Sequence, residues 1–181
     1  KDYSDVEDKI DEDSVLQYHF ISFEKWTVKN RVKQYQRYMQ MLKSNVNKML
    51  SKKKEQEALN YIDKYSRELR ETFSVIKELI QSQISEFVDI TILPNTANFY
   101  PLLIKAYKYD NTVDKSSFRK IARLIEIYSF RVYAVGQSMP YTGQSRFYNY
   151  ARDFDGDFQK LGETIKNTIS EYSSDKRFVE N

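Results

Sequence analysis

An all-α fold, a multi-helix bundle with one long helical hairpin, follows from three features of the chain. Apolar residues recur at helical spacing along most of its 181 residues. Helix breakers are scarce, with 4 glycines and 3 prolines. Tyrosine and phenylalanine, 15 and 11 of them, supply bulky core material without any cysteine framework. A chain of this length buries roughly two-thirds of its surface, which suffices for one domain with a sizeable core.

The elements can be placed in order. Asp13 or Ser14 can cap a short helix carrying Val15, Leu16, Tyr18, Phe20, Ile21 and Phe23, apolar nearly all round and hence buried. Val28, Val32, Tyr35, Met39, Leu42, Val46 and Met49 then advance by alternating steps of four and three, the narrow seam of a long helix. A second series runs Ile62, Tyr65, Leu69, Phe73, Ile76, Ile80, Ile84 and Phe87. Lys52 to Lys54 suit a helix C-terminus, and Glu55 and Glu57 suit the start of the next, each opposing the local end of the helix dipole. The prediction is a hairpin with arms of roughly 25 residues, or about 37 Å. One continuous helix is the competing reading, because the turn lacks a breaker.

Phe87 to Leu93, closed by Pro94-Asn95, could be a helix end or a brief strand, and a buried connector is the preferred reading. Asn95 or Thr96 caps the next helix, whose first turn tolerates Pro101 and which runs to about Asp110. Asp114-Lys115-Ser116-Ser117 opens the clearest amphipathic helix, with Phe118, Ile121, Ile125, Tyr128, Val132 and Val135 as its stripe and Gly136 as its C-cap. Residues 137–143 form a loop. Helices follow over about Ser145 to Asp153 and Phe158 to Tyr172, and Ser173-Ser174-Asp175 caps another. Lacking an initial methionine and ending soon after a new helix begins, the chain is expected to be an excised segment of a larger multidomain protein, with 1–181 as one helical domain.

Composition removes most catalytic chemistry. Without cysteine there is no thiol nucleophile or cysteine-based zinc site, and a single histidine excludes two-histidine metal centres. His19, inside the apolar first helix, is expected to be a hydrogen-bonded structural residue. Asp153-Phe154-Asp155-Gly156-Asp157 spaces three carboxylates like a calcium loop, yet glycine falls at position 4 rather than 6 and Thr164 stands where a bidentate Glu belongs. An acidic turn between helices is the expectation, and no cofactor or metal is assigned to the segment. Arg131, among Phe130, Val132 and Tyr133, is expected to be semi-buried and paired with a carboxylate or helix end. No apolar run approaches the roughly 20 residues that span a bilayer, and a soluble, cytoplasmic setting is expected.

Charge is unevenly laid out. Lys1 to Glu24 holds eight acids against two bases, whereas Lys25 to Lys54 holds ten bases and no acid. Such a basic stretch suits nucleic acid or another polyanion, unless it lies against the acidic lead or is simply solvated. Lys25, Arg31, Lys33 and Arg37, interleaved with Trp26, Tyr35 and Tyr38, are candidate DNA contacts through phosphate pairing and stacking. Tyr141, Arg146 and Arg152 form a second candidate cluster, with Tyr148 and Tyr150, around the glycine-containing loop. Core packing competes for Tyr35, Phe147 and Tyr148.

A family pattern is carried by Asn98-Phe99-Tyr100-Pro101-Leu102-Leu103-Ile104, Phe118-Arg119-Lys120-Ile121, Ile127-Tyr128-Ser129-Phe130-Arg131-Val132-Tyr133, Phe147-Tyr148 with Ala151-Arg152-Asp153, and Asp175-Lys176-Arg177-Phe178. From Phe87 to Phe178, and more loosely around Gln17-Tyr18-His19-Phe20, this order resembles the helical region of GmrSD-type modification-dependent restriction proteins. In that family a ParB-like NTP-hydrolysing domain with an Asp-Gly-Gln-Gln-Arg motif precedes the helical region, and an HNH-like nuclease domain often follows. Neither motif stands in this chain, so neither catalytic centre is carried onto any residue here. The resemblance implies a noncatalytic spacer or coupling region of an anti-phage restriction endonuclease, flanked by NTPase and nuclease modules and contributing DNA contacts. The rival is a helical protein–protein interaction module unrelated to restriction.

Overall fold

A computed structural model of the chain describes residues 10–24 and 35–180, with the side chains of residues 35–37, 177 and 180 outside that description. Among the described residues every regular element is helical, and the helices pack into a bundle. The first, α1 (Glu12–Phe23), is capped by Asp11, not by Asp13 or Ser14. The Asp11 carboxylate accepts from the Ser14 N–H at 2.8 Å and the Ser14 hydroxyl at 2.7 Å. Ser14 is therefore the donor in the first turn. As expected from its all-round apolar sequence, α1 buries Val15, Leu16, Tyr18, His19, Phe20 and Ile21.

The hairpin is formed by α2 (Tyr35–Leu50) and α3 (Glu55–Gln81), which pack on each other. Val28 and Val32 of the expected first arm lie outside the described residues. The reading as one continuous helix fails at Lys53, whose φ is 57°. The Lys54 N–H bonds the Met49 carbonyl and the Lys53 N–H bonds the Leu50 carbonyl, the paired bonds of a Schellman motif. A lysine takes the left-handed position that glycine usually fills. The second arm also ends earlier than expected. Gln83 turns left-handed, and Ile84 and Phe87 belong to the start of α4 (Ser85–Thr91) rather than to α3. The expected buried connector is thus a short helix with Phe87 and Ile90 inside, while Ile92, just past its end, is 79% exposed.

Neither Asn95 nor Thr96 caps the next long helix. Left-handed Asn95 leads into a 3-10 turn, Thr96–Asn98, and the Thr96 hydroxyl donates back to the Ile90 and Leu93 carbonyls. Only then does α5 (Tyr100–Tyr109) begin, with Pro101 in the first turn, where its missing N–H costs nothing. Asp110 ends α5 and caps α6 (Ser116–Ser129). Its Oδ2 accepts from the Phe118 N–H at 2.7 Å, while Oδ1 accepts from the Thr112 N–H and hydroxyl. Burial alone raises the Asp110 carboxyl, but the bonds from Thr112 and Phe118, with Lys115 nearby, hold it below its ordinary value.

Beyond Ser129 the helix widens into a π-helical turn, Phe130–Val135. Gly136 closes it, though not as the left-handed cap expected, since its φ is −75°. Its N–H bonds the Arg131 carbonyl, five residues back, and a Cβ would stand 2.9 Å from the Arg131 and Val132 oxygens. Glycine is there because the carbonyls crowd it. The chain continues through α7 (Gln144–Asp153), α8 (Phe158–Tyr172) and α9 (Asp175–Glu180).

The packing places α6 against α4 and α8, and α5 against α1, α3 and α7. At the centre Tyr128 meets Phe147 at 4.7 Å, Tyr133 at 5.7 Å and Phe99 at 6.0 Å between ring centroids. A smaller cluster of Phe20, Ile21, Tyr38 and Tyr148 joins α1, α2 and α7. The hairpin is anchored at one end only. Thr72, Val75, Ile76 and Leu79 are buried in the second half of α3, but Ala58 is its sole buried residue before Thr72. In α2, Tyr38 and Leu42 are buried and no described side chain after Leu42 is. From Glu55 to Thr72 about 25 Å of helix is therefore mostly exposed.

Candidate functional site

The loop after the π turn carries the first candidate surface, and a buried polar network holds it. The Tyr128 and Tyr133 hydroxyls both donate to the Thr142 carbonyl. The Asn98 amide donates to the Pro140 carbonyl at 2.7 Å, and Gln144 donates to Asn98 Oδ1 at 2.7 Å. Gly143 completes the anchor at φ 74°, against the Tyr128 hydroxyl. Tyr141, at the tip, is 67% exposed. The loop thus presents one aromatic side chain from a fixed base.

Its two candidate cations are engaged with carboxylates. Arg146, on α7, makes a bidentate pair with Glu171 of α8 at 2.5 and 2.6 Å, and its guanidinium lies 5.1 Å from the Tyr172 ring centroid. That hydrogen bonding raises the Arg146 pKa and lowers that of Glu171. Arg152 binds Asp153 through Nε and Nη2, and the Asp153 carboxyl falls below its ordinary range. Tyr148 is buried, and the Tyr150 hydroxyl is within 2.7 Å of Thr168 Oγ1. Of the second cluster, only Tyr141 is presented free of the body. In the first cluster, Lys25, Arg31 and Lys33 lie outside the described residues; Arg37 falls on α2, with its side chain also outside them.

The acidic turn links α7 to α8, as its sequence suggests. Asp157 caps α8 by accepting from the Lys160 N–H at 2.9 Å, and Asp155 accepts from the Asp157 N–H. A small cavity of about 170 Å³ opens beside these aspartates, Tyr150 and Lys160. Among the described residues no three His, Asp or Glu side chains converge as metal ligands.

His19 is fully buried, with Nδ1 2.7 Å from Thr72 Oγ1. Because the Thr72 hydroxyl donates to the Glu68 carbonyl, its oxygen accepts the proton of Nδ1. Burial first, then the Lys108 charge, lower the His19 pKa to about 4, against a smaller opposing effect of Glu71. The ring is neutral, sealed from solvent and structural, in accord with its apolar surroundings in the sequence. Lys105 escaped the sequence reading, although its position inside the apolar run Leu102 to Tyr107 is a visible signal. Its ammonium donates to the Arg152 carbonyl at 2.8 Å and lies 5.9 Å from the Phe23 ring centroid. Burial lowers its pKa to about 8, with Asp153 and Asp155 opposing. It fastens the end of α7 to α5. Arg131 behaves as expected, donating to the Ser173 carbonyl and Asp175 at 2.7 Å each while its guanidinium covers the Phe178 ring.

Two open surfaces remain. A groove of about 750 Å³ between α6 and α8 has a floor of Ile121, Leu124 and Phe158. Most of its charges are matched, Arg119 with Glu86, Arg123 with Glu126 and Lys166 with Glu163. The outward face of α2 carries Gln40, Lys43, Ser44, Asn47, Lys48 and Ser51 around an open depression of about 500 Å³. No described helix is long and apolar enough to cross a membrane. Comparison with protein-family models, curated proteins and solved structures finds no match to this chain.

Proposed function

We propose that the chain is a noncatalytic helical spacer or coupling region, with the α2–α3 hairpin as its working part. The observation that carries this reading is the one-ended anchoring of the hairpin. The base of α3 is fixed in the core by Thr72, Val75, Ile76 and Leu79, and the opposite end stands clear of it. A stiff arm fixed at one end can hold a neighbouring module at a set distance or pass a rotation to it. On the resemblance of residues 87–178, its setting is a cytoplasmic bacterial modification-dependent restriction protein, with NTPase and nuclease modules on the same parent chain and DNA as the substrate.

Two experiments test this. Sequencing the parent gene on both sides of the segment should reveal an Asp-Gly-Gln-Gln-Arg motif upstream and an HNH-like motif downstream; absence of the first overturns the restriction setting. Replacing residues 45–60 with a short Gly-Ser linker should leave thermal unfolding of the bundle nearly unchanged and abolish restriction of phage by the parent. Phage restriction that survives the replacement overturns the coupling role.

The rival reading, a protein-interaction module, draws on Leu50, Leu59 and Ile62, which are 46%, 61% and 45% exposed at the free end of the arm. Under that reading Leu59→Ser with Ile62→Ser abolishes partner association while an arm of unchanged length persists.

A further inference from the structure

We infer that the outward face of α2 binds the phosphate backbone of a nucleic acid without regard to its sequence. The inference rests on the reading of the hairpin as a projecting arm, and it places the contact on residues other than the earlier candidates Tyr141, Arg146 and Arg152. At 100° per residue, Gln40, Lys43, Ser44, Asn47, Lys48 and Ser51 fall within about 80° of one line along α2. Buried Tyr38 and Leu42 lie on the opposite side, where α2 meets the body. The face is thus turned away from the protein, and it has a shallow depression along it.

Its chemistry is one-sided. From Lys25 to Lys54 there is no acidic residue. The facing helix offers little neutralisation, because its acids are largely engaged: Glu57 with Lys54, Asp63 with Arg67, Glu68 with Lys64 and Glu71 with Lys108. Among the described residues Lys43, Lys48, Lys52 and Lys53 have no carboxylate within ion-pair distance, in contrast to Arg146 and Arg152. Lysines interleaved with Ser, Asn and Gln are the donor types that hold phosphate oxygens. The face from Gln40 to Ser51 is about 16 Å long, and a duplex carries one charge per about 1.7 Å of axis, so several phosphates fall within reach.

Other polyanions fit less well. An acidic membrane surface needs an apolar row facing the lipid, and the apolar row of α2 is turned inward against the body and α3. A protein partner needs an apolar centre to its interface, and the midline of this face is polar throughout, formed by Gln40, Ser44, Asn47 and Ser51.

The test is fluorescence anisotropy of a labelled duplex of arbitrary sequence with the whole chain, from about 50 to 200 mM salt. The expected result is binding at low salt that weakens linearly in log–log form. Lys43→Gln with Lys48→Gln should make that slope shallower by about 2, since each lost phosphate contact removes about one. These side chains are exposed, so circular dichroism should report an unchanged fold. Lys120→Gln with Lys176→Gln, on the body, should leave the slope as it was. Absence of binding at 50 mM salt, or an unaltered slope in the Lys43, Lys48 variant, overturns the inference. So does competition by polyglutamate or anionic phospholipid vesicles at least as strong as by unlabelled duplex. The linker replacement of residues 45–60 tests coupling through phage restriction, and the lysine substitutions keep the arm intact, so the two proposals fail separately.

Discussion

At His19 the surroundings decide the charge. The folded pKa of about 4 lies below the ordinary 6.5, so between these values the unfolded chain takes up a proton that the folded chain refuses. Stability is therefore fully present above pH 6.5, falls as pH drops through the window, and levels off near pH 4. The shift sets the loss at no more than about 3 kcal/mol. Urea midpoints at pH 7 and 4.5 should show it, and His19→Leu with Thr72→Val should show a smaller difference between the two. Gly143 is constrained differently. A Cβ there would lie 2.1 Å from the Tyr128 hydroxyl oxygen, on a backbone already at φ 74°. Gly143→Ala should cost at least about 2 kcal/mol, read as a lower melting temperature, because it adds left-handed strain to a displacement of the central tyrosine.

Among the elements, the hairpin turn holds the clearest stored strain. Lys53 occupies a left-handed conformation that costs a residue with a Cβ about 1 kcal/mol. Lys53→Gly should raise stability by up to that amount, checked by the urea midpoint at constant slope. The same turn shows where sequence legibility stops. α8 runs from Phe158 to Tyr172 as its spacing indicates, because an amphipathic stripe and the Asp157 cap agree on the boundary. Lys53 gives no such local sign, since its bond to Leu50 and the Lys54 bond to Met49 are backbone bonds open to any residue. The π turn was hidden for the same reason: Val132 and Val135 continue the α-helical stripe on paper, and only the crowding at Gly136 reveals the wider coil. The role of Arg131 was legible because a cation in an apolar run needs a partner. That Arg146 is engaged by Glu171 required a tertiary contact, the approach of α7 to α8, whereas Arg152 pairs with its own chain neighbour Asp153.

For the molecule as a whole, burial is uneven in a way that should govern its opening. The core draws on Phe99, Tyr128 and Phe147, all fully buried, whereas the free end of the hairpin holds few buried side chains. Local opening should begin there. Three exposed lysines, Lys52 to Lys54, sit at the turn. Trypsin at low ratio should therefore cut the turn before any site within residues 100–172, with the fragments read by mass spectrometry. Earlier cleavage in α5 to α8 would mean that the body, rather than the arm, is the softer part.

The π turn at Phe130–Val135 makes the bundle sensitive to an indel of one residue. A π turn is what an α-helix becomes when it absorbs an inserted residue without lengthening by a full turn. Deleting one residue between Phe130 and Val135 would restore ordinary winding and swing everything beyond it by about 100°. The Arg131 grip on Ser173 and Asp175 and the seating of Thr142 over Tyr128 and Tyr133 could not then both survive. The tie to the final helix and the aim of the Tyr141 loop are thus set together by a single extra residue, so that sequence drift can substitute side chains here far more readily than it can change their number.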